Sequence, residues 1–137
     1  MSYIPNILSQ VLKEVNKYDF KNQVSKNNGD FKVQKIFCYD LFAAMIFSQL
    51  KKKDSIRNII SGLDSFNSDL YHLGIPEIKR TTFSDALNCR PAKVFEDYFY
   101  SLLSEMPRTQ KRKFMRKVNI LDSTTIIAFF YSWKRYR

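Results

Sequence analysis

Glycine, proline, cysteine and histidine are all scarce: 3 Gly, 4 Pro, 2 Cys and 1 His in 137 residues. So little Gly and Pro excludes low-complexity and collagen-like chains. Cys38 and Cys89 stand alone, with no CxxC or Cys/His grouping. That spacing argues against a zinc site or a disulfide framework and predicts reduced, buried thiols. His72, in Tyr71-His72-Leu73-Gly74, has no Ser, Cys or carboxylate at catalytic spacing, so a structural role is expected. The longest apolar runs, Leu41 to Phe47 and Ile126 to Tyr131, fall far short of the roughly 20 residues of a membrane span. The first ten residues lack the positive segment of a signal peptide. A cytoplasmic protein without membrane attachment is the expectation.

Acidic residues are also in short supply: 13 Asp+Glu against 23 Lys+Arg, a formal charge of +10. The imbalance is local. Residues 1–100 hold 14 basic and 11 acidic side chains, whereas residues 101–137 hold 9 and 2. Arg108-Thr109-Gln110-Lys111-Arg112-Lys113-Phe114-Met115-Arg116-Lys117 concentrates the excess. A focused basic segment points to a polyanionic partner. The chain is otherwise rich in core material, with 45% apolar residues, 12 Phe and 8 Tyr. That composition excludes a disordered basic tail.

The first hundred residues read as helices. Ile7, Val11, Leu12, Val15 and Tyr18 recur at helical spacing after Pro5-Asn6. Asn27-Asn28-Gly29-Asp30 is a turn cluster. Asp40 is placed to cap a helix from Leu41 to Leu50 that is apolar nearly all round, so it is expected at the centre of the core. Lys51-Lys52-Lys53 ends it. Ile56, Ile59, Ile60 and Leu63 form the stripe of a third helix, with Gly62 near its end. Residues 64–80 look irregular. Thr82-Phe83-Ser84-Asp85 fits a capping box opening a short helix to about Asn88. Pro91 suits the first turn of another, with Val94, Phe95, Tyr98, Phe99, Leu102 and Leu103 on its apolar face and Pro107 as its stop. From Val118 onward, β-branched and aromatic residues predict strand. The organisation expected is a helical domain over 1–106, a basic linker over 107–117 and the start of a β-containing domain over 118–137. The chain looks like the front end of a longer protein.

Six strings carry a resemblance. They are Asn28-Gly29-Asp30, Phe42-Ala43-Ala44-Met45, Tyr71-His72-Leu73-Gly74, Lys79-Arg80-Thr81-Thr82-Phe83-Ser84-Asp85-Ala86, Arg90-Pro91 and Leu121-Asp122-Ser123-Thr124-Thr125. In this order and spacing they resemble the N-terminal part of bacterial DDE-type transposases of the insertion-sequence-four family. The resemblance implies a mainly α, helical DNA-binding domain followed by the first strand of an RNase H-like α/β catalytic domain, incomplete in this chain. It implies double-stranded DNA, the terminal inverted repeats of the element, as partner, and a homodimer assembled on DNA in the full-length enzyme. It implies a nucleoid-associated bacterial protein.

By the same resemblance, Asp122 is the first of three acids that bind two divalent metals, Mg²⁺ or Mn²⁺. It is then both catalytic residue and metal ligand. The second Asp and the Glu lie far downstream in the family, so this chain alone is expected to be inactive and to hold no metal tightly. Carboxylates suit the task because Mg²⁺ prefers hard oxygen ligands, and paired ions can activate a nucleophile and stabilise a leaving oxygen.

Lys79, Arg80 and Thr82 at a helix start are candidates for phosphate contact. Asn88 and Arg90 are candidates for base reading, since Asn suits adenine and Arg suits guanine. Lys111, Arg112, Lys113, Arg116 and Lys117 are candidates for non-specific phosphate contact. The separation of Gly62 from Thr82 far exceeds the 3–4-residue turn of a standard helix-turn-helix, so only a relative with an insertion fits. Trp133 is expected to pack. The rival reading is a stand-alone, non-catalytic DNA-binding protein acting as repressor or inhibitor. A general RNA-binding module is weaker, because no RNA-binding signature is present.

Overall fold

The computed structural model describes residues 3–121, and every regular element among them is a helix. The order is α1 (Tyr3–Glu14), α2 (Lys17–Lys26), α3 (Cys38–Leu50), α4 (Ile56–Ser65), α5 (Asn67–His72), α6 (Arg80–Cys89), α7 (Ala92–Glu105) and α8 (Arg108–Leu121). The chain divides into two units, Met1–Tyr98 and Phe99–Arg137. The division falls inside α7, earlier than the expected boundary at 106/107.

In the first unit, α3 is the central element. Leu41, Ala43, Ala44 and Phe47 are fully buried. Two alanines in mid-helix let neighbouring backbones approach, and α3 packs against α1, α4 and α6. Ile59, Ile60 and Leu63 of α4, Phe83 and Ala86 of α6, and Leu8 and Leu12 of α1 complete this core. Gly62 lies inside α4 and is no cap. A Cβ there would stand 3.1 Å from Phe47 Cε1, so its small size allows α4 to lie close on α3.

A second cluster is aromatic. Phe20 meets Tyr98 edge-on at 5.1 Å, and Phe42 meets Tyr98 at 5.7 Å and 90°. Edge-to-face pairs of this kind add about 0.5–1.5 kcal/mol beyond area burial. Val24, Cys38 and Val94 close the cluster.

Several helix starts differ from expectation for one reason: the capping groups are not where local patterns place them. The first stripe breaks after Glu14, because Asn16 Oδ1 accepts from the amides of Tyr18 and Asp19 and begins α2. The helix expected from Leu41 begins at Cys38, and Asp40 caps from inside, its Oδ2 accepting from Phe37 N at 3.0 Å. The helix expected after Thr82 begins at Arg80, so Thr82 is not a cap. The stretch 64–80, expected as irregular, contains α5. It ends on Gly74, whose φ of 73° is the left-handed cap that glycine favours.

In the second unit, the basic segment expected as a linker is α8. Val118 to Leu121, expected as strand, continue that helix. Lys, Arg, Gln and Met are strong helix formers, and extending an existing helix is far easier than nucleating one. Phe99 and Phe114 pair within this unit, ring centroids 6.5 Å apart. The remainder of the expected strand segment, including Asp122 and Trp133, lies outside the described residues.

Candidate nucleic-acid interface

α6 presents two faces. Phe83 and Ala86 are buried, with Thr82, Ser84 and Leu87 half-buried. At about 100° per residue, Thr81, Asp85 and Asn88 share the outer face, and all three are exposed. Lys79 and Arg80 are exposed at the helix start. Thr81 is exposed, whereas Thr82 is half-buried. The sequence signal that distinguishes them is the spacing from Phe83 and Ala86: Thr81 lies opposite that apolar edge, and Thr82 lies beside it.

Arg90 is placed differently from Asn88. It is the C-cap residue of α6, half-buried, and its Nη2 donates to the Ile36 carbonyl at 2.6 Å. That bond ties α6 to the start of α3. The same spot gathers other chemistry-bearing groups. Asp30 Oδ1 accepts from Cys38 N at 2.7 Å. Gly29 is buried against Cys38 and Val94, where an added Cβ would stand 2.9 Å from Cys38 Sγ and from Val94 Cγ2.

Burial, then the hydrogen bond and charge of Asp30, push the Cys38 thiol up to about 12, against the opposing charge of Arg90. Burial likewise raises Asp40, and the Asp30 charge adds to it. Cys38 is therefore an inert buried thiol. Cys89, expected to be buried with it, is exposed at the end of α6. The knot is architectural, and Gly29, Asp30 and Arg90 all take part in it.

α8 has the strongest electrostatic character. Arg108, Lys111, Arg112, Lys113, Arg116 and Lys117 are all exposed, and Arg108 to Leu121 contains no acid. None of these cations joins an ion pair among the described residues. On a helix, Arg108, Arg112 and Arg116 fall in one strip spanning about 80°, each about 6 Å further along the axis. Lys111, Arg112 and Lys113 fan across about 200°. Half-buried Phe114 points away from the Arg112 strip. Like charges at i, i+4 repel by a few tenths of a kcal/mol each, and cations in the first turn oppose the helix dipole. Phosphates along the strip would relieve both penalties.

Among the described residues, no group of three or more His, Cys, Asp or Glu side chains could hold a metal ion. No described helix is long and apolar enough to cross a membrane. Exposed His72 ends α5, its ring edge-on to Tyr71 at 5.8 Å.

The first unit is a helical bundle whose α6 exposes small polar side chains with Lys79 and Arg80 at its start, and the second unit carries a dense row of cations on α8. Residues 5–76 match the family described as Domain of unknown function (DUF4372), more than half of the chain, and the chain belongs to that family. No curated protein and no solved structure matches it.

Proposed function

We propose that this chain is the N-terminal part of a DDE-type transposase and binds the terminal inverted repeats of an insertion sequence as double-stranded DNA. The observation that carries the reading is α8: six exposed cations, no acid and no ion pair among the described residues. The strip of Arg108, Arg112 and Arg116 tracks one phosphate backbone, with Lys111, Lys113 and Lys117 beside it. The outer face of α6 reads the sequence: Asn88 and Thr81 reach bases, while Lys79 and Arg80 hold phosphates at the helix start. Arg90 positions α6 through the Ile36 carbonyl. Asp122 supplies the first carboxylate for Mg²⁺ or Mn²⁺ in the full-length enzyme, where DNA cleavage and strand transfer take place.

Fluorescence anisotropy on a terminal-repeat duplex and on a shuffled duplex of equal length tests the reading. The repeat is expected to bind more tightly, and Asn88→Ala to reduce that preference by about fivefold or more, the worth of one good base contact. Equal affinity for the two duplexes would refute sequence-specific recognition.

A further inference from the structure

Between α2 and α3 the chain makes two successive tight turns. Phe31 N donates to the Asn28 carbonyl and Val33 N to the Asp30 carbonyl, each at 3.2 Å. Asn28 and Lys32 have φ of 51° and 56°. Lys32 is the third residue of its turn, where a positive φ favours Gly or Asn. A lysine at that place is unusual, and non-glycine residues held there cluster at functional sites.

The result of this backbone is an aromatic side chain turned to solvent. Phe31 is 71% exposed. Lys32 Nζ stands over its ring, 5.2 Å from the centroid. Lys35 is exposed two residues beyond Val33, and neither lysine joins an ion pair among the described residues. Residues 27–37 contain a single acid, Asp30, and its Oδ1 is turned to Cys38 N. The segment thus combines an exposed ring, capped on one face by Lys32, with two lysines that join no ion pair among the described residues. A cation over one ring face leaves the other for a flat group, and the lysines call for negative charge beside it. A nucleic acid base flanked by phosphates has that chemistry, and inserted apolar side chains are a recurring means of unstacking a base step.

We propose that Phe31 is a wedge that enters a base step of bound duplex DNA, with Lys32 and Lys35 on the flanking phosphates. The inference rests on the DNA-binding reading above and assigns to it a separate element, remote in sequence from α6 and α8. The probe is a duplex with 2-aminopurine beside a TA step, the kind most easily unstacked. The whole chain is expected to raise the probe's fluorescence. Phe31→Ala should abolish the rise while keeping affinity within about threefold, because the cations that dominate affinity remain. Phe31→Trp should keep the rise. Lys32→Gly should leave the thermal midpoint unchanged or higher, since glycine accepts the turn, yet diminish the rise. A rise that survives Phe31→Ala, or binding with no rise, overturns the wedge. So does loss of self-association in Phe31→Ala by sedimentation, which would make the ring a contact between copies. If the chain binds no duplex, the DNA reading falls and the wedge falls with it.

Discussion

Replacing Arg108, Arg112 and Arg116 together with alanine should cut the salt dependence of DNA binding far more than replacing Lys111, Arg112 and Lys113. Each neutralised phosphate contributes about −0.9 to the slope of log K against log salt. A strip of three arginines on one backbone therefore carries about 2.7 of that slope. The consecutive triplet fans round the helix, so only about one of its members meets the same backbone. Between about 50 and 200 mM salt, wild-type affinity should fall about 40-fold more than that of the strip variant. Against the consecutive variant the excess should be only about fourfold.

Both variants should keep α8. The positions are exposed, alanine is the best helix former, and like-charge repulsion is removed. Far-ultraviolet circular dichroism checks that point, and anisotropy titrations across a salt series give the slopes. Equal slope changes in the two variants would refute the strip. The segment would then be acting as a diffuse cloud of charge, or as a helix lying between two backbones.

Gly29→Ala should destabilise the fold by about 1–3 kcal/mol through overpacking against Cys38 and Val94, read as a lower midpoint in urea. Arg90→Ala should destabilise the fold by about 1–3 kcal/mol, leaving the Ile36 carbonyl without its donor, read as a lower urea midpoint. At pH 8 a thiol reagent should modify Cys89 in the folded chain and Cys38 only on unfolding, because burial holds the Cys38 thiol at about 12; fast modification of both would contradict the buried knot. Asp97 is held below the usual carboxylate range by Asn27 Nδ2, 3.0 Å away, and by Lys93. Its contribution is present above the unfolded value near 3.9 and is lost as pH falls through the lower folded value. Asp97→Asn should therefore flatten the acid side of the stability curve below about pH 4.

How much was legible depended on how local the cause was. The apolar surface of α3 and the Ile59, Ile60 and Leu63 stripe of α4 were visible because periodicity is a local property, and those residues are buried. The turn at Asn28-Gly29 was visible for the same reason. The start of α3 was not, because its first amide is capped by Asp30, eight positions upstream. Arg90 looked like a base reader because an arginine's charge is evident in a sequence. Its carbonyl partner at Ile36, 54 positions away, is not. α8 was hidden because its basic run reads as a solvated linker and the β-branched residues after 117 read as strand. A helix already under way overrides that pattern.

The shallow seating of α6 has an engineering consequence. Only Phe83 and Ala86 of this helix are deeply buried, and its outer face makes no core contact. Thr81, Asp85 and Asn88 can be randomised together without touching the core. If the proposed reading by α6 holds, a selection from such a library against arbitrary duplexes should yield variants of altered sequence preference. The matched family region ends at residue 76, before this helix begins.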